Sequence, residues 1–76
     1  MIKELDQVVL TATLPGEALE PGDVGTVVHV YADGTAYEVE FVALDGHTTA
    51  VVTLEAAQVR RVTRRDMTHV RVTQTA

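Results

Sequence analysis

Few residues in this chain can do chemistry, and their spacing is the first constraint on function. The histidines are His29, His47 and His69, and there is no cysteine and no serine. A nucleophile would have to be threonine, which needs a positioned base, and the threonines are distributed as strand and turn residues. His29 falls inside a strand-like run, His47 behind a turn and His69 near the end, with no metal-ligand spacing between any two. They read as solvated or edge histidines. Glu38 and Glu40 stand two apart, with Asp33 and Asp45 in the flanking turns. On one strand face such carboxylates lie about 7 Å apart, wider than a hard cation wants. They read as a solvated acidic face, or as a patch for a basic partner. No catalytic residue, metal or cofactor is expected, and the chain reads as not an enzyme.

Tyr31 and Tyr37 bracket Asp33-Gly34, and Phe41 completes the aromatic set. With one Phe and no Trp there is no stacking platform for bases or proline-rich peptides. Phe41 and Tyr37 therefore read as core and Tyr31 as a contact residue. Charge is divided sharply. Residues 1–59 hold Lys3 against ten acids, near −9, and residues 60–76 hold Arg60, Arg61, Arg64, Arg65 and Arg71 against Asp66, near +4; the sum is −5. An acidic body repels phosphate backbones, so nucleic acid is disfavoured as a partner. The arginine cluster offers phosphate binding, pairing with an acidic surface on another subunit, or neutralisation of its own body.

The elements that must position these groups are short strands. Valine and threonine enrichment suits a pleated sheet. Asp6–Thr11 reads as a first strand with Val8 and Leu10 on one face. Thr13–Gly22 carries two Pro-Gly pairs and reads as a loop whose Leu14 and Leu19 fold back over a barrel end. Asp23–Tyr31 reads as a second strand with Val24, Val28 and Val30 inward and Gly25 marking a bulge or a strong coil. An Asp-Gly turn of type I′ follows. Tyr37–Val42 alternates Tyr37, Val39 and Phe41 inward with Glu38 and Glu40 outward. A second Asp-Gly turn precedes Thr48–Leu54, with Ala50, Val52 and Leu54 inward. Leu54–Gln58 suits one 3₁₀ turn, delivering Val59–Val62 as a fifth strand. Residues 64–76 form a basic tail, read either as an extra edge strand through Val70 and Val72 or as disordered. No segment has the length and apolarity of a membrane span, and no secretory leader is evident, so a cytoplasmic location is expected.

Strand, long loop, three-strand meander, 3₁₀ turn and short strand is the layout of an all-β, five-stranded SH3-like barrel over residues 1–63. The segments Val8-Val-Leu-Thr11, Leu19-Glu-Pro-Gly-Asp-Val-Gly-Thr-Val-Val28 and Ala36-Tyr-Glu-Val-Glu-Phe-Val42 resemble the bacterial DUF4926 family, small proteins of unknown function. Leu54-Glu-Ala-Ala-Gln-Val-Arg60 looks like that family's closing segment, with Glu55 where a proline is usual. The resemblance covers roughly residues 5 to 62. It implies an SH3-like barrel and supplies no catalytic residues. Gly22-Asp-Val-Gly-Thr-Val27 is also similar to KOW-type segments, without the basic residues that accompany them.

The resulting expectation is a non-catalytic module that binds another protein. Its contact residues would be Tyr31, Glu38, Glu40, Arg61, Arg64 and Arg65, with the Thr13–Gly22 loop and a sheet edge beside them. A homodimer through a barrel edge or the tail is a variant of this reading. The alternative is an RNA- or ribosome-associated barrel that uses the arginine tail.

Overall fold

Branched side chains at Val8, Val9 and Leu10 start the sheet, and the chain spends its remaining strands wrapping that start. In the computed structural model, which describes residues 1–73, the strands are β1 (Gln7–Leu10), β2 (Val24–Tyr31), β3 (Ala36–Val42), β4 (Thr48–Glu55) and β5 (Val59–Arg61). They form one antiparallel sheet in the order β4-β3-β2-β1-β5. The last strand returns to pair with the first, Leu10 opposite Val59 and Val8 opposite Arg61. This is the strand order of an SH3-like barrel, and the expected fold class holds. The expected 3₁₀ turn is present at Ala56–Gln58, closed by a capping box in which Gln58 Oε1 accepts the Glu55 N–H at 2.8 Å.

Val8, Leu10, Val27, Val39 and Leu54 are fully buried, and Leu19, Tyr37, Phe41 and Val59 complete the core. Leu19 arrives from the long loop, as expected, with Leu14 packed beside it. The loop is tied at its end: Leu10 N–H donates to the Asp23 carbonyl and Gly22 N–H to the Leu10 carbonyl, each at 2.8 Å. Tyr37, Val39 and Phe41 point inward and Glu38 and Glu40 outward, as their alternation predicts.

Strand β2 departs from its expected pattern. Val24 and Val28 are exposed while Val27 is fully buried. The register explains this: Val27 pairs with Val39, but the next pair is His29 with Glu38. Val28 is thus the extra residue of a bulge, which reverses the parity before Val30. Gly25 is not the bulge; it pairs regularly with Phe41 and Val8. The turn after β2 is also longer than a two-residue hairpin. Ala32–Thr35 lie between the paired Tyr31 and Ala36, with φ of +29° at Ala32, +60° at Asp33 and +82° at Gly34.

Residues 63–73 contain no strand, so the extra edge strand is not formed there; the expectation for 74–76 lies outside the described residues. The chain leaves the line of β5 because Asp66 closes a turn, its carboxylate accepting the Thr63 N–H at 2.7 Å and its own N–H donating to the Thr63 carbonyl at 3.1 Å. The segment then runs as an irregular strap. Among the described residues no helix is long and apolar enough to cross a membrane.

Candidate functional site

Three of the six expected contact residues come together on the outward side of β2, β3 and β4. The register sets rows across this face: Thr26, Glu40 and Val51; His29, Glu38 and Thr53; Tyr31, Ala36 and Glu55. Within it the carboxylates are held in place. Glu38 Oε1 accepts from Thr53 Oγ1 at 2.6 Å and from Tyr31 Oη at 3.3 Å, and Glu40 Oε2 accepts from Thr48 Oγ1 at 2.7 Å. The His29 ring meets Tyr31 edge to face, with centroids 4.5 Å apart. Val28, Tyr31 and Val51 are each at least 40% exposed and give this acidic face an apolar border. Among the described residues neither Glu38 nor Glu40 has a cationic partner.

Arg61, Arg64 and Arg65 lie elsewhere. Arg61 sits on β5, at the opposite edge of the sheet from β4, with Nε 3.8 Å from Asp6 Oδ2. Arg64 and Arg65 occupy the turn that follows, and no ion pair involves either among the described residues. The arginines on each side of them are engaged. Arg60 makes a two-pronged contact with Asp66, Nη2 to Oδ1 at 2.7 Å and Nη1 to Oδ2 at 3.0 Å. That contact, with the Thr63 N–H, holds the Asp66 carboxyl well below the usual carboxylate range and raises the Arg60 guanidinium.

A further tertiary polar contact joins residues that lie far apart in the sequence. Arg71 Nε donates to Asp23 Oδ1 at 2.8 Å and its Nη2 to Asp23 Oδ2. The same Nη2 reaches the Ala18 carbonyl at 3.1 Å, and Nη1 lies 3.4 Å from Glu20 Oε2. Burial pushes the Asp23 carboxyl up, but the Arg71 hydrogen bonds, the Glu20 N–H and the Arg71 charge outweigh it and leave it below its ordinary value. The Asp23 contact in turn raises Arg71. The only advance signal was the charge division between body and tail. The anchored strap borders a cleft of about 640 Å³ against Val24, Thr26, Glu40, Val42 and Leu44.

The three histidines stay apart in the fold, on β2, in the β3–β4 turn and on the strap. His47 caps its own turn, its N–H donating to Asp45 Oδ1 at 3.1 Å and its Nδ1 lying 2.9 Å from Oδ2; the backbone bond, then the ring contact, lowers the Asp45 pKa. Among the described residues no three His, Asp or Glu side chains converge as a metal site.

A five-stranded antiparallel sheet in SH3-like order, carrying an outward acidic face and an arginine-anchored strap, defines the class: a small all-β domain. Residues 4–61 match the family described as Domain of unknown function (DUF4926). The chain belongs to that family. No curated protein and no solved structure matches it.

Proposed function

We propose that this chain is a non-catalytic, cytoplasmic module that binds a basic segment of another protein through the outward face of β2, β3 and β4. The observation that carries this reading is the pair Glu38 and Glu40. Their carboxylates are oriented by Thr53, Tyr31 and Thr48, bordered by exposed Val28, Val51 and Tyr31, and lack an intramolecular cation among the described residues. Fixed acceptors beside apolar area suit a cationic partner, because opposite potentials select the partner and speed its arrival. The body's charge near −9 extends the same field. Arg60, Arg61 and Arg71 face acids of their own chain, which weighs against the RNA-binding alternative.

The test is capture of the tagged chain at near-native levels, with and without nuclease, followed by mass spectrometry. A stoichiometric protein partner is expected, unaffected by nuclease and lost with the double variant Glu38→Lys, Glu40→Lys. Capture that survives the charge reversal, or that nuclease abolishes, overturns the reading.

A further inference from the structure

The acceptors around Arg71 are arranged for a guanidinium rather than for positive charge in general. Asp23 takes two prongs of the planar fork, the Ala18 carbonyl a third contact, and Glu20 stands behind at 3.4 Å. A lysine ammonium has no planar fork with which to match this set. Asp23 is itself oriented, its Oδ2 accepting the Glu20 N–H at 2.8 Å, and its side chain is only 18% exposed. By contrast, the strap around Arg71 is poorly packed: Met67 is 90% exposed, Val70 67% and Val72 87%. Val24, Val42 and Leu44 across the cleft are also exposed. The strap is held by its arginine and by the Asp66 turn, with little apolar burial to keep it there.

We infer that the Ala18–Asp23 corner is an arginine-binding site, that the free chain fills it with its own Arg71, and that an arginine-bearing extended segment of the partner displaces the strap to occupy it. This rests on the proposed reading that the partner is a basic protein, and it adds which side chain anchors that partner and what blocks the site beforehand. Charge complementarity favours this occupant. The cleft that starts at Asp23 is also lined by Glu40, so a basic segment leaving the corner runs onto the acidic face. Displacement exchanges one guanidinium for another, so Asp23 is paired in the bound state as it is in the closed one.

The test uses the full chain, wild type and Arg71→Ala, with melting curves to establish that both are folded. The probe is a fluorescent peptide with the sequence of residues 62–73. The Arg71→Ala chain is expected to bind it about tenfold more tightly than wild type, the ratio for a strap closed nine-tenths of the time. Binding is expected to vanish when the peptide's own Arg71 is replaced by Ala, or when Asp23→Asn is added to the receptor. A folded Arg71→Ala chain that ignores the peptide, or that binds it no better than wild type, overturns the inference. Light scattering that finds a wild-type dimer converted to monomer by Arg71→Ala also overturns it, because a second copy would then be the occupant. No cellular partner enters this measurement, so peptide binding stands or falls independently of the capture experiment above.

Discussion

Gly25 lies so close beneath Val39 that a Cβ placed on it would stand 2.6 Å from Val39 Cγ1, with the Glu40 carbonyl at 2.9 Å and Phe41 Cδ1 at 3.0 Å. The requirement is steric: at the Gly25–Phe41 pair of β2 and β3, the core side chains Val39 and Phe41 lean into the space a side chain would take. Gly25→Ala therefore over-packs the centre of the barrel. The expected cost is about 1–3 kcal/mol, read as a fall in melting temperature of roughly 4–8 °C per kcal/mol for a chain of this size. A melting temperature within a degree of wild type would show that Val39 and Phe41 do not pack so closely over Gly25.

The turn after β2 makes the opposite prediction. Ala32 is held at φ +29°, a region that costs a side chain with a Cβ roughly 1 kcal/mol. Ala32→Gly relieves this and is expected to raise stability by several tenths to about 1 kcal/mol, less the entropy that glycine adds to the unfolded chain. Gly34→Val, two residues on at φ +82°, is expected to lose about 1 kcal/mol or more. The pair of denaturation midpoints, moving in opposite directions, checks the shape of the turn.

Strand β3 was legible from its sequence because Tyr37-Glu-Val-Glu-Phe41 alternates without interruption, and charged residues every second position mark the solvent side. Strand β2 was not. Val24, Val27, Val28 and Val30 stand at mixed parity, and a single bulge residue decides which are buried. Nothing in a run of valines tells which one is extra. The candidate site divides in the same way. Glu38, Glu40 and Tyr31 were found because a strand's period places them, whereas Asp23 and Arg71 are separated by 48 residues. Their meeting depends on an irregular path that carries no period and is fixed by the Asp66 turn.

Thr53 offers a way to separate the acidic face from the fold. Its hydroxyl donates to Glu38 at 2.6 Å on an exposed strand position. Thr53→Val keeps the branched shape that suits a strand and removes the donor, so stability is expected to stay within about 1 kcal/mol of wild type. Partner capture is expected to weaken several-fold, because Glu38 loses the group that orients it. Unaltered capture in quantitative pull-downs would show that orientation of this carboxylate is irrelevant to binding.

The anchoring of the strap carries a pH signature with a definite direction. Asp23 and Asp66 both have folded pKa values below their ordinary 3.8, the first because the Arg71 and Glu20 contacts overcome burial, the second through Arg60 and Thr63. In that pH range the folded chain binds fewer protons than the unfolded one, so stability from these groups is fully present above the ordinary value. It is lost as pH falls through 3.8 toward the lower folded values. The measurement is the difference in melting temperature between wild type and Arg71→Ala across pH. The difference is expected to be constant from neutrality to about pH 5 and to shrink below pH 4 as Asp23 takes up its proton. A difference that widens on acidification, or that is absent at neutral pH, would place Arg71 away from Asp23 in solution and leave the strap without its anchor.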